Sequence, residues 1–205
     1  MPFAIVAVGA SLGGLCAVQK LLAALPAGFP LPVALVQHRE PRGEDTLTPL
    51  LSAACALPVV EMCDKQAIAP GRVYVAPADY HALVDSRCFA LSIEAPVNFS
   101  RPSIDVLFES AADSYGGSVI GVILTGTSCD GARGLAAIKV RGGLTIVQDP
   151  KTAEARAMPE AALAAVAGAR LMPLEEIGPF LAETVHVKGD RAGSGNRAGS
   201  ARSNR

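Results

Sequence analysis

The first thirty residues leave few architectures open. Residues 3–8 form an unbroken apolar run, and Gly9-Ala10-Ser11-Leu12-Gly13-Gly14 follows directly. Leu15, Val18, Leu21, Leu22 and Leu25 then recur at helical spacing until Pro26 and Gly28 stop them. A strand with no polar alternation is buried on both faces, the condition of a parallel sheet with helices packed on either side. The run therefore predicts a β-strand, a glycine-rich turn and an α-helix in that order.

The same alternation continues along the chain. Apolar strands are predicted at 32–36, 58–60, 73–75, 119–124 and 144–147. Helices are predicted at 47–56, 102–114, 132–140, 158–166 and 174–184, with Pro102 suited to a first turn. Segments 82–84 and 89–93, separated by Asp85-Ser86-Arg87, read as a β-hairpin. The fold class that follows is α/β: a doubly wound, mostly parallel sheet in an α/β/α sandwich with right-handed crossovers and one local antiparallel hairpin.

A length of 205 residues fits one domain, expected over 1–188. Residues 189–205 are rich in Gly, Ser, Asn and Arg and are expected to be a disordered basic tail outside the fold. That tail carries four Arg against one Asp, a net of +3, so residues 1–188 carry −4. Such a balance gives no nucleic-acid footprint. Cysteines 16, 55, 63, 88 and 129 lie scattered without a C-x-x-C, so neither a disulfide framework nor a zinc site is expected. The start lacks a basic leader, and no apolar run reaches the roughly 18 residues of a membrane span, so a cytoplasmic protein is expected.

In an open parallel sheet, ligands bind beyond the carboxyl ends of the strands. The first strand ends at Ser11, the second at Gln37-His38, and the 119–124 strand feeds a loop containing Asp130. A serine hydroxyl is a weak nucleophile until a base takes its proton, and neutral imidazole suits that task at neutral pH. A carboxylate on the far ring nitrogen fixes the tautomer and stabilises the imidazolium. Gly9-x-Ser11-x-Gly13 also has the spacing of a nucleophile elbow. The candidate catalytic residues are thus Ser11, His38 and Asp130.

Other readings stand beside this one. By itself the Gly9–Gly14 turn suits a phosphate-binding loop slightly better than a nucleophile, although it misses the G-x-G-x-x-G spacing. His38 alone reads as an ordinary polar residue, and Asp130 alone as the N-cap of the helix that follows it. The chain order Ser, His, Asp also differs from that of α/β-hydrolases. Cys129 is a rival nucleophile without an evident base. His81 and His186 read as structural and exposed residues respectively, and Arg101 as either a carboxylate binder or a partner of a nearby acid.

Taken together, these residues resemble the catalytic domain of the CheB chemotaxis protein-glutamate methylesterases over residues 3–185. The signatures, in order, are Gly9-Ala10-Ser11-Leu12-Gly13-Gly14, Val36-Gln37-His38, the segment 69–77 with His81, Arg101-Pro102-Ser103-Ile104-Asp105, Leu124-Thr125-Gly126 with Asp130-Gly131-Ala132, and Gln148-Asp149-Pro150 with Ala157-Met158-Pro159. The resemblance implies hydrolysis of γ-glutamyl methyl esters on chemoreceptor helices, with release of methanol, and deamidation of particular receptor glutamines. It implies Ser11 as nucleophile, His38 as base and Asp130 as the group orienting His38, with no metal or organic cofactor. The substrate it implies is a methyl-accepting receptor, the chain's sole link to a membrane.

Three departures accompany it. The family's usual receiver domain is not expected, since the first strand begins at residue 3, so control would come from a separate receiver partner or be absent. The family's Leu-Thr-Gly-Met-Gly-x-Asp-Gly loop reads with Thr127 and Ser128 in place of Met and Gly, where an oxyanion N–H is expected. After His38 the chain reads Arg39-Glu40-Pro41-Arg42 instead of Met-Pro. The further readings to be weighed are a nucleotide- or phosphate-binding module built on the Gly9–Gly14 turn, and a catalytically degenerate chemosensory scaffold.

Overall fold

The computed structural model describes residues 3–40 and 46–186. The 189–205 tail, Pro41, Arg42 and the side chain of His186 lie outside the described residues. In chain order the elements are β1 (Ile5–Ala10), α1 (Gly14–Ala23), β2 (Val33–Gln37), α2 (Leu47–Ser52), β3 (Val59–Glu61), β4 (Val73–Val75), β5 (His81–Asp85), β6 (Cys88–Ser92), α3 (Ile104–Tyr115), β7 (Val119–Ile123), α4 (Ala132–Val140), β8 (Leu144–Gln148), α5 (Ala157–Ala165), β9 (Arg170–Met172) and α6 (Leu174–His186). A single 3₁₀ turn, Gly116–Ser118, precedes β7.

Seven strands form one sheet in the order β3-β4-β2-β1-β7-β8-β9, and every neighbouring pair is parallel. The period-two geometry of β1 splits the core in two. Val6, Val8 and Ala10 pack with α1, α2 and α6, whereas Ile5 and Ala7 pack with α3, α4, α5 and the hairpin. The chain winds outward from β1 to one side through β2 and later returns to the other side at β7. The direction of winding therefore reverses between β1 and β7, which is where such sheets open a crevice.

The structure departs from the sequence expectation at β1, α2, β9 and the start of α3, which Ser103 caps so that Pro102 precedes the helix. β1 continues through Gly9 and Ala10 instead of ending at residue 8, because Gly9 pairs with both Val36 and Ile123. A Cβ on Gly9 would lie 2.4 Å from Ile104 Cγ2, so this glycine admits α3 against the sheet and does not turn the chain. α2 stops at Ser52 instead of residue 56, since Leu51 is the last side chain that its stripe delivers to the core. β9 carries no apolar run; it is an edge strand with Arg170 and Leu171 in solvent and the Arg170 guanidinium 4.4 Å over the Phe180 ring.

The hairpin is as expected. Asp85 pairs with Cys88, leaving Ser86-Arg87 as a two-residue loop with Ser86 in the left-handed region (φ 59°). Its strands form a separate antiparallel sheet fastened to α3, with Val84 N donating to Ser110 Oγ (3.0 Å) and Ser114 Oγ donating to Val84 O (2.9 Å). Among the described residues no helix is long and apolar enough to cross a membrane.

Candidate active site

The carboxyl ends of β1, β2 and β7 meet at the reversal point. His38 N donates to Ala10 O, Ser11 N to Thr125 O and Leu124 N to Gly9 O, each at 2.9 Å, so the three strand exits are laced together by backbone. Gln37 adds a side-chain strap: its Nε2 donates to Ser11 O at 2.7 Å and to His38 O at 3.1 Å. The strap lies over Gly14, where a Cβ would come within 2.0 Å of Gln37 Oε1. Glycine at 14 is therefore required for Gln37 to hold the Ser11 carbonyl.

His38 and Asp130 are in direct contact, with Nε2 at 2.7 Å from Oδ2. Asp130 is fully buried, and its two oxygens also accept from Ser103 Oγ (2.8 Å), Ile104 N (2.7 Å), Asp105 N (3.1 Å) and Asn98 Nδ2 (3.3 Å). Burial pushes this carboxyl up, but the donors from His38, Ile104, Ser103 and Asp105 outweigh it and hold Asp130 below the ordinary carboxylate range. An ionised carboxylate only accepts, so Nε2 is the donor in this contact, and in the neutral ring Nδ1 then keeps the lone pair. Nδ1 faces Ser100 Oγ at 3.4 Å.

Asp130 is a cap, but not of the helix that follows it. It binds the N-terminus of α3, while Asp105 in the first turn of α3 accepts from Gly131 N (2.9 Å) and Gly134 N (2.7 Å) at the start of α4. The two helices exchange acidic caps, each satisfying donors that its neighbour leaves open. Burial first, and the charge on Asp130 in addition, keep the Asp105 carboxyl above the ordinary range despite the Gly134 N–H.

Ser11 and His38 line one cavity of about 630 Å³ with Leu12, Gly13, Gln37, Thr127 and Glu154. Among the described residues the Ser11 hydroxyl makes no hydrogen bond, and the N–H groups of Leu12, Gly13 and Thr127 donate to none of them. Backbone donors without a protein partner beside a hydroxyl are the kind of group that can stabilise a developing oxyanion. The Thr127 N–H is a backbone group and does not depend on the side chain at 127. Ser128 Oγ accepts from Asp130 N at 3.2 Å and so braces the loop locally. Thr125 ties the floor together: its Oγ1 donates to Leu12 O (2.9 Å) and accepts from Ala155 N (2.8 Å), and its N–H donates to Gln148 Oε1 (2.9 Å).

The arrangement places a hydroxyl, an oriented imidazole and backbone N–H groups without a protein partner at one cavity, groups that suit acyl transfer. Comparison with known proteins agrees. A family model described as CheB methylesterase matches residues 6–181. The chain belongs to the CheB methylesterase family. A Leptospira interrogans relative, provisionally named protein-glutamate methylesterase/protein-glutamine glutaminase, is 44% identical across 86% of this chain and 92% of its own length. The Myxococcus xanthus protein-glutamate methylesterase FrzG is 42% identical across 91% of this chain but only 56% of its own length. The crystal structure of the Thermotoga maritima CheB methylesterase catalytic domain superposes with a TM-score of 0.84 at 32% identity, covering 89% of this chain and 99% of that one.

Within this CheB methylesterase frame the other sequence candidates resolve. His81 is structural: buried, it receives Ser103 N–H on Nδ1 (3.2 Å), and its Nε2 lies 3.1 Å from Ala95 O. Arg101 pairs with Asp79 (2.6 Å) and donates to the carbonyls of Ile93 and Glu94. Cys129 is an exposed free thiol. Sequence reasoning missed Gln37, Asn98, Ser100 and Ser103 as functional residues. Their partners lie up to 62 residues away, at His38 from Ser100, so no local spacing marks them.

Proposed function

We propose that the chain is a serine hydrolase acting from the cytoplasm on γ-glutamyl methyl esters of a methyl-accepting chemoreceptor, and on specific receptor glutamines. The observation that carries the reading is the buried Asp130–His38 contact beside the Ser11 cavity. The Ser11 hydroxyl attacks the ester carbonyl carbon while His38 Nδ1 takes its proton. Backbone donors at Leu12 and Thr127 hold the developing oxyanion. The C–OCH₃ bond breaks and His38 returns the proton to the leaving oxygen, releasing methanol. Water then attacks the acyl-serine with the same proton relay, freeing Ser11 and a glutamate carboxylate. With glutamine, ammonia leaves instead. Substrate entry completes the Ser11–His38 hydrogen bond, since Nδ1 of the free protein faces Ser100.

Relatives with this activity in their names support the reading, the Leptospira protein and FrzG among them. A separate receiver-type partner is the proposed source of regulation. A fluorophosphonate probe is the direct test: it should label Ser11, and absence of labelling would overturn the assignment. The rival phosphate-binding reading is disfavoured by charge. Among the described residues no Lys or Arg lines the Ser11 cavity, and the Glu154 carboxylate sits against Gly13, where a phosphate would need positive neighbours. The scaffold reading is disfavoured because the Thr127 N–H is retained.

Glu154 has a role in product release under this scheme. The reaction converts a neutral ester into a carboxylate within the same cavity, and like charges in a partly solvated site repel by about 1 kcal/mol. Replacement Glu154→Gln should leave KM for the ester unchanged and tighten inhibition by the demethylated product roughly fivefold. Inhibition constants for the product protein measure this. Replacement Gly14→Ala should displace Gln37 from the Ser11 carbonyl, lowering stability by about 1–3 kcal/mol and slowing probe labelling. Thermal melting and labelling rate together check it.

A further inference from the structure

The catalytic histidine has a second neighbourhood. A smaller cavity of about 160 Å³ lies on its other flank, lined by His38, Ser100, Arg101, Asp79 and Phe99. Phe99 is wholly exposed, at 104% of its reference area. A phenyl ring left in water forgoes the burial that usually accounts for its presence. Its backbone is costly as well: Asn98 (φ 51°) and Phe99 (φ 62°) are both in the left-handed region, which bulky residues avoid. The turn is nonetheless firmly held. Val97 and Ser100 exchange backbone hydrogen bonds (3.1 and 2.9 Å), and Asn98 Nδ2 donates to Asp105 and to Asp130. The network that orients His38 therefore also fixes where Phe99 projects. Strain that surrounding bonds enforce is a mark of a functional position.

Phe99 has apolar counterparts in the neighbouring cavity. Leu12 and Leu15, 55% and 38% exposed, line the Ser11 cavity, which shares His38 with this one. Each of the two cavities that meet at His38 thus has an exposed apolar wall. A small polar ester needs neither wall. A protein segment presenting one glutamyl ester, with apolar side chains on either side of it, would fill both.

We infer that Phe99 is a docking anchor for the substrate protein, taking an apolar side chain of the same segment that carries the reacting glutamyl ester. This rests on the esterase reading above and adds the means by which a protein substrate is selected over a free ester. The occupant is the substrate segment and not a second copy of this chain, because the cavity that Phe99 lines shares His38 with the one that must admit that segment for Ser11 to act. Aromatic side chains at the centre of protein contacts commonly carry tenfold or greater effects on binding.

The test compares two substrates in two variants of the full chain. With the methylated cytoplasmic fragment of a chemoreceptor from the same organism, Phe99→Ala should raise KM about tenfold or more at nearly constant kcat. With p-nitrophenyl acetate, and in fluorophosphonate labelling, the same variant should match the parent. Phe99→Leu should recover most of the receptor KM. Equal losses on receptor and small ester would overturn the proposal, since Phe99 would then act on the chemistry or the fold. An unchanged receptor KM would overturn it too, including the case in which the parent sediments as a dimer that Phe99→Ala dissociates. Failure of the esterase reading itself looks different: the parent chain would neither release methanol nor label at Ser11.

Discussion

Replacing Ser11 with alanine is expected to abolish methanol release while leaving the melting temperature where it was. The loss should reach about six orders of magnitude in kcat, near 8 kcal/mol of transition-state stabilisation, as when a nucleophile is deleted from a coupled triad. The unchanged stability follows from geometry. Ser11 is held by its backbone, through its N–H to Thr125 and its carbonyl from Gln37 and Gly14, and its hydroxyl bonds to no described residue. Removing that oxygen leaves no donor or acceptor unpaired, so the change in stability should stay within about 0.5 kcal/mol. Retention of more than a few per cent of the methanol release, or a large fall in melting temperature, would refute this account of the residue.

Asp130→Asn should behave in the opposite way and damage both properties. The carboxylate accepts five hydrogen bonds on two oxygens, from His38, Asn98, Ser103, Ile104 and Asp105. An amide offers a single acceptor oxygen, so its NH₂ group must face donors whichever way it is turned. If it faces Nε2, the imidazole must shift its proton to Nδ1 and lose the lone pair that takes the Ser11 proton. The expected loss in kcat is about 10⁴. If it takes the place of Oδ1, it faces Asp105 N, Ser103 Oγ and Asn98 Nδ2, so part of the cap of α3 is lost and a buried network is broken, at roughly 3–5 kcal/mol. At this chain length that corresponds to a fall of about 10 °C in melting temperature. A pH series adds an independent measure. Because the folded pKa of Asp130 is depressed, its contribution is present above the unfolded carboxylate value and is lost as pH falls through the lower folded value. Acid unfolding of the parent should therefore steepen below about pH 4, and Asp130→Asn should flatten that limb.

Much of this was legible in the chain itself, and the boundary of what was legible has a physical explanation. Uninterrupted apolar runs such as 119–124 and the helical spacing of Ile104, Leu107, Phe108 and Ala111 report burial directly, so the layered α/β architecture and the hairpin follow from period alone. β9 did not announce itself, because an edge strand with Arg170 and Leu171 in solvent has no buried period to show. The roles of the site residues divide in the same way. Residues at strand exits can be placed by topology, as with Ser11 and His38. The destination of the Asp130 carboxylate is set by helix–helix packing 25–32 residues away in sequence, and spacing pointed to the adjacent helix. Gln37 and Asn98 act through backbone and carboxylate partners that only the assembled sheet brings near.

The reversal of winding between β1 and β7 carries a consequence for the life of the chain. Ser11 and His38 belong to the half synthesised first, whereas Asp130 belongs to the half synthesised last. A nascent or partly unfolded molecule that had formed only β1 to β4 would hold the hydroxyl and the imidazole without the acid that orients the ring. Under the proposed roles, full hydrolytic competence would come only when the two halves join and would be lost when they separate. On those roles, a molecule whose halves have not joined would be limited to the roughly 10⁴-fold lower rate of one lacking the orienting acid.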